Sequence, residues 1–370
     1  MKKNRLVIAI AIGLALAILA CAATGPVGRG ARSAREPHGK IGDLRFIDVH
    51  NHLLVHYGPP SSAQVDCEGA AQVALAAMDR VGIARMFIMP PPFTPEHPNL
   101  YTYEELLGAV KNYPDRFSFL GGGGTLNVLI QQAVRGGTVT PALRGRFEKT
   151  AAAILSKGAI GFGELTAEHF SFDLQHPYEW APPDHPLFLL LSDIAGRHGV
   201  VIDLHMEAVP EDMPLPKVRK LHSPHNPGML RENIQGLERL LAHNRSAKII
   251  WAHAGWCNTG RRTPSLCAQL LGRHSNLYMS FKLRPDSMEE TRPLTEDRRI
   301  KTEWLDLISA YPDRFLIGSD RFFVTPRANT RIGLPRREGQ GAERLLALLP
   351  LELAQKVGVE NAVRIFKLPS

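Results

Sequence analysis

The segment FIDVHNHLL, residues 46–54, carries His50 and His52 one residue apart, with Asp48 two residues before the first. Imidazole is the commonest metal ligand near neutral pH, and residues two apart on a strand point to one face. On strict alternation Phe46, Asp48, His50 and His52 share one face. Ile47 and Val49 share the other, which suits packing against a helix. An exposed edge strand would also tolerate a single His-x-His, so its meaning rests on the other polar residues that end apolar runs. These are Glu164 in AIGFGEL, His205 in VVIDLHME, His253 in KIIWAHAG, Lys282 in NLYMSFKL and Asp320 in FLIGSD. Imidazoles and carboxylates together form a donor set for a divalent ion, and such an ion lowers the pKa of bound water toward ~7.

The elements that must position these groups follow from periodicity. Apolar, β-rich runs recur at 45–52, 84–90, 117–124, 159–165, 200–207, 248–255, 276–283 and 315–320. Most pairs are separated by helical patterns such as AAQVALAAMDRVG, HPLFLLLSDIAGRHG, LRENIQGLERLLAHN and TEWLDLISAYPD. Strands alternating with helices in this way predict an α/β chain, a (β/α)8 TIM barrel forming a single domain over 43–370. No Gly-x-Gly-x-x-Gly follows the first run, which disfavours an open dinucleotide-binding sheet. In a barrel the ends of the runs surround the C-terminal mouth, and His50, His52, Glu164, His205, His253, Lys282 and Asp320 meet there. The proline-rich stretch EAVPEDMPLPKVRKLHSPHNPGML after His205 reads as an irregular cover of that mouth, with His222 and His225 as solvated loop residues. GGTVTPALRGR reads as a second rim loop.

The N-terminus is read apart from the fold. MKKNR, the apolar run 6–20 and Cys21 form an export signal over 1–21. Ile18-Leu19-Ala20-Cys21 resembles a lipobox, which makes Cys21 the expected lipidation site and the periplasm, with a lipid anchor to the membrane, the expected location. Plain secretion and an uncleaved anchor are the alternatives. Residues 22–42, rich in Gly, Ala, Arg and Pro, read as a flexible tether. Residues 1–40 hold seven Lys or Arg and one acid, and the whole chain is +8, so the rest carries only +2. That balance gives a nucleic-acid partner no electrostatic support. Of Cys67, Cys257 and Cys267, the last two are the nearest pair, and free thiols are expected.

DVHNH, DLHME, WAHAGW and LIGSD occur in an order and spacing that resemble the amidohydrolase superfamily, in the branch that includes aminocarboxymuconate-semialdehyde decarboxylase. YPDRFSFLG and the closing ELAQKVGVENAVRIFKL add to the resemblance, which runs from about residue 44 to the end. It implies that His50 and His52 bind a buried metal with Asp320. His205 and His253 would bind a second metal, or one would ligate the first while the other polarises the substrate. Asp320 would take a proton from metal-bound water. The implied cofactor is one or two divalent ions, Zn2+ before manganese or iron. Many binuclear relatives carry a modified lysine at the end of the fourth strand. Glu164 stands there in this chain, either bridging two ions or accepting a hydrogen bond from a ligating histidine. Arg321 follows Asp320 where aromatic residues are common. With Lys282, Arg284, Arg261 and Arg262 it is a candidate for an anionic substrate group. The expected function is metal-dependent hydrolysis of a carbonyl- or ester-type bond in a small molecule by metal-bound hydroxide. The alternatives are a mononuclear zinc nonoxidative decarboxylase and a non-catalytic envelope binding protein.

Overall fold

The computed structural model describes residues 45–59, 62–97, 100–172, 174, 176–328 and 341–369. The export signal, Cys21 and the tether lie outside the described residues. Eight parallel strands form the ring: β1 (Phe46–Leu54), β2 (Ile83–Ile88), β3 (Phe117–Phe119), β4 (Gly161–His169), β5 (Val201–Met206), β6 (Lys248–Ala254), β7 (Leu277–Phe281) and β8 (Phe315–Ile317). The ring closes through the third run. Phe117–Phe119 pairs with β2, and after Leu120 the chain resumes as Gly121–Gly122 against β4. β8 pairs with β1, and a ninth strand, β9 (Arg321–Val324), continues along β1 beyond Asp320. This is the (β/α)8 barrel expected from the alternation.

The helices are α1 (Cys67–Val81), α2 (Leu107–Asn112), α3 (Leu126–Gly136), α4 (Pro141–Ser156), α5 (Pro186–His198), α6 (Ile234–His243), α7 (Pro264–Arg273), α8 (Thr302–Ala310), α9 (Gly341–Leu348), α10 (Leu351–Gln355) and α11 (Asn361–Phe366). Their limits follow local chemistry. Asp66 caps α1 by accepting from the Gly69 amide at 2.9 Å, and Gly82 ends that helix at φ 81°, a left-handed value that glycine tolerates. Four of these helices coincide with the patterns read from sequence. The stretch expected as a second rim loop is a correction. PALRGR forms the first turns of α4, because Thr140 accepts from the Leu143 amide at 3.2 Å and Pro141 starts the helix with φ already set. Among the described residues no helix is long and apolar enough to cross a membrane.

Two apolar layers hold the ring. Phe46, Phe162, Leu204, Trp251, Phe281 and Ile317 face outward and pack with the helices. Ile47, Val49, Phe87, Leu120, Val201, Ile250, Tyr278 and Leu316 fill the interior, where Ile365 and Phe366 of α11 join them. The face assigned to Ile47 and Val49 by alternation is therefore corrected: they point into the barrel, and Phe46 points to the helices. The long stretch after β5 is also less irregular than expected. Met213–Pro214 pairs with Met229–Leu230, and Phe170, Val209, Met213, Leu221 and Leu230 form a small core of their own.

Candidate metal centre

The interior phase set by Ile47 and Val49 would turn His50 outward. A bulge reverses it. Asp48 is opposite Met86 and Asn51 is opposite Ile88, so three steps on β1 match two on β2. His50 then joins His52 inside the ring, while Asp48 accepts from the Ser319 amide at 2.9 Å, tying β1 to the turn before Asp320. The same three-against-two step occurs on β4 between Phe162 and Leu165, and on β6 between Trp251 and Ala254. Those steps deliver Glu164 and His253. Bulges re-aim side chains in this manner. β5 has no such step before Leu204, and simple alternation brings Asp203 and His205 inward.

Close backbone packing leaves room for the cluster. A Cβ on Gly318 would lie 2.8 Å from Ser280 Cβ and 3.1 Å from His50 Cβ, and one on Gly163 would lie 2.9 Å from Asp203 Cβ. His253 (φ 71°) and Asp320 (φ 51°) adopt left-handed backbone angles, an arrangement costing roughly 1–2 kcal/mol per non-glycine residue that concentrates at functional sites.

Glu164 stands at the centre. Its Oε2 lies 3.4 Å from His50 Nε2 and 3.3 Å from His52 Nε2. Its Oε1 lies 2.8 Å from His205 Nδ1 and 3.3 Å from His253 Nε2. Asp320 Oδ1 is 3.1 Å from His52 Nε2 and 3.9 Å from His50 Nε2, and Asp320 Oδ2 accepts from the Lys282 ammonium. Lys282 Nζ also sits 3.6 Å from the centre of the Trp256 ring. All six residues expected as ligands meet here; five are buried, and the Asp320 side chain is 9% exposed.

The donor set fits divalent ions. His52 Nδ1 donates to the Met89 carbonyl at 2.9 Å, so its Nε2 lone pair faces the cluster. His50 Nδ1 lies 3.0 Å from Asp203 Oδ1, which orients its ring likewise. His50 Nε2, His52 Nε2 and Asp320 Oδ1 are buried without a hydrogen-bond partner. Nitrogen and oxygen atoms of His50, His52 and Asp320, and of His50, Glu164 and His253, lie within 4.8 Å of one another, close enough to hold an ion. Electrostatics favour anionic carboxylates. Burial raises the pKa of Glu164, but His50, His205 and His253 outweigh it and hold the carboxyl well below its usual range. Burial likewise opposes ionisation of Asp320, and Lys282 with His52 overcomes it. Burial, reinforced by Lys282 and His205, pushes His253 well below the usual imidazole range.

Asp203 escaped the reading of the sequence, although it precedes His205 in DLHME as Asp48 precedes His50 in DVHNH. His169 escaped it as well; its ring lies 4.3 Å from that of His205, and burial holds it neutral. Arg262, expected as an anion binder, is a correction. It is buried 3.9 Å from the Trp251 ring, and its guanidinium donates to the Trp251 carbonyl at 2.6 Å and to the Ala252 carbonyl. These carbonyls are where β6 leaves its regular ladder, so the planar fork pins the bulge before His253. Arg261 is exposed beside a separate depression with Lys217 and Glu290. Arg321 Nη2 lies 3.4 Å from Glu343 Oε1. His222 and His225 are exposed in the loop. Cys67, Cys257 and Cys267 are free.

Fold and site together define a (β/α)8 barrel with a histidine–carboxylate centre at its C-terminal mouth. No protein-family model matches the chain, and no curated protein matches it. Solved structures do. A probable 2-pyrone-4,6-dicarboxylic acid hydrolase from Acinetobacter baumannii, with citric acid bound, is 12% identical with a TM-score of 0.50, covering 88% of this chain and 100% of its own. The organophosphorus hydrolase from Deinococcus radiodurans is 14% identical with a TM-score of 0.51, covering 88% of this chain and 93% of its own. An amidohydrolase II structure is 17% identical with a TM-score of 0.46, covering 87% and 100%. At these identities the likeness is one of fold alone: the chain shares its barrel with the first two of these structures.

Proposed function

We propose that this protein is a metal-dependent hydrolase of the amidohydrolase type, acting on a carbonyl- or ester-type bond of a small molecule. The observation that carries this reading is the division of Glu164. One oxygen faces His50 and His52 and the other faces His205 and His253. One imidazole nitrogen holds one ion. His50, His52 and Asp320 would hold the first, with His205 and His253 for the second and Glu164 between them. Zinc suits these donors best. Such ions supply Lewis acidity and a nucleophile at neutral pH.

The chain's own groups supply the rest. Asp320 Oδ1 takes the proton of the attacking water and returns it to the leaving group. Lys282 holds Asp320 Oδ2 in place, and Trp256 covers Lys282 on the other side. The loop after β5 shields the mouth from water, since Lys220 reaches across it to within 5.4 Å of the Trp256 ring centre and donates to the Asp286 carbonyl at 3.1 Å.

Metal analysis after zinc loading should find two ions per chain, and a panel of lactones, esters, amides and phosphoesters should contain a substrate. Asp320→Asn at full occupancy should lower the rate by at least ~100-fold. Saturation at one ion, with carbon dioxide released from aromatic or enoic acids, would replace this reading with a decarboxylase. We also propose export and lipidation at Cys21, supported by MKKNR, the apolar run to Ala20 and the lipobox-like Ile18–Cys21. Cys21→Ser should abolish labelling by radioactive palmitate and release the protein from membranes.

A further inference from the structure

Beside the centre lies a cavity of about 660 Å3 that shares Asp320 with it. The walls come from the segments after β7 and β8 and from the start of α9. Five arginines line it: Arg284, Arg292, Arg298, Arg321 and Arg344. The opposing carboxylates are Asp286, Glu296 and Asp320. Two of these are already engaged. Asp320 is held by Lys282, and Asp286 Oδ1 lies 3.2 Å from Arg284 Nε with its Oδ2 3.7 Å from Lys220 Nζ. Among the described residues Arg292, Arg298 and Arg344 pair with no carboxylate. Arg292 Nε is buried with no hydrogen-bond partner. A buried guanidinium nitrogen left without an acceptor is costly unless a bound group supplies one. Leu283, Pro285, Pro293, Leu294 and Ala342 make the remaining wall apolar.

We propose that this cavity takes a carboxylate carried by the substrate, so that the substrates are small organic acids anchored remote from the bond that breaks. Resting on the hydrolase reading, this names its substrate class. Guanidinium groups match a carboxylate in two parallel hydrogen bonds. The apolar wall accepts the carbon skeleton to which that carboxylate is attached. Glu296 and Asp286 dilute the positive field, which favours a singly charged carboxylate over a doubly charged phosphate. Asp320 is the residue common to the cavity and the centre, so a skeleton whose carboxylate is held by the arginines extends past Asp320 toward the histidines.

The test is calorimetric titration with glutarate, its uncharged diamide glutaramide and inorganic phosphate, on zinc-loaded protein and on protein stripped by a chelator. Wild-type protein should bind glutarate at least about tenfold more tightly than glutaramide in both states, since the arginines and not the ions hold it. Arg292→Met combined with Arg298→Met should erase that difference while the melting curve is retained. Should the double variant misfold, Arg344→Gln at an exposed position should weaken glutarate binding about threefold. Equal affinities for glutarate and glutaramide, or unchanged glutarate binding in the folded variants, would overturn the proposal. So would glutarate binding that disappears on chelation, or tighter binding of phosphate. Binding to the stripped protein does not depend on turnover, so a failed hydrolase assay and a failed anion site give different results.

Discussion

Glu164 and Glu168 lie four residues apart on β4, and both are buried. Their surroundings send them to opposite charge states. Glu164 points inward to four imidazoles, and the charge of His50 together with hydrogen bonds from His205 and His253 more than offsets the cost of burying an anion. Glu168 accepts from the Tyr178 hydroxyl at 2.9 Å and from the Asn233 amide at 2.7 Å, both uncharged. Burial, with Glu207 adding repulsion, pushes Glu168 up to about 8 despite those two bonds. Glu179 repeats the second case: its partner is the Asn127 amide at 2.7 Å, and burial pushes it to about 8. Burial alone therefore does not decide what a carboxyl does. A charged partner makes it a ligand-type anion, and a neutral amide makes it a proton-holding strut between the strand and its loops.

The contrast can be broken most strongly at Glu164. Glu164→Gln keeps the volume and removes the charge shared by the two histidine pairs. It should lower bound zinc from two ions to one. The rate should fall by more than the ~100-fold typical of losing a partner of a ligand. Glu168→Gln should leave metal content unchanged, and loss of an ion there would end the distinction between the two glutamates. Asp203→Asn is expected to act more mildly. It removes the carboxylate beside His50 Nδ1, so metal affinity measured by competition with a chelator should drop ~10–100-fold with the fold intact. Unaltered affinity would mean that Asp203 does not orient the ring.

The smallest effect sharpens the comparison from the neutral side. The native state holds protons on Glu168 and Glu179 up to about pH 8, whereas an unfolded glutamate loses its proton near 4.5. Between those values the native state binds more protons, so these two residues make stability fall as pH rises. Urea midpoints measured from pH 5 to 8 should therefore decline with a steeper slope in wild type than in the Glu168→Gln, Glu179→Gln double variant. Parallel slopes would show that both carboxyls are ionised in the native state.

Much of this molecule was legible from residue types and their order. Alternating β and helical periods determine a parallel sheet covered by helices, and eight such runs without a Gly-x-Gly-x-x-Gly after the first point to its closed form. Six ligand-type residues at the ends of five of the eight strands determine a common mouth. What alternation could not determine is which way each side chain points. It places His50 with Phe46 and Asp48, yet the bulges on β1, β4 and β6 change the phase at His50, Glu164 and His253. A bulge is a mismatch between two strands, so it exists only once both are paired. For the same reason Arg262 read as a free cation until the ladder it mends was in view. The pairing of Asp203 with His50 joins strands far apart in sequence. The charge of Glu168 likewise belongs to its partners, and only the tertiary structure chooses those, by deciding which groups lose water together.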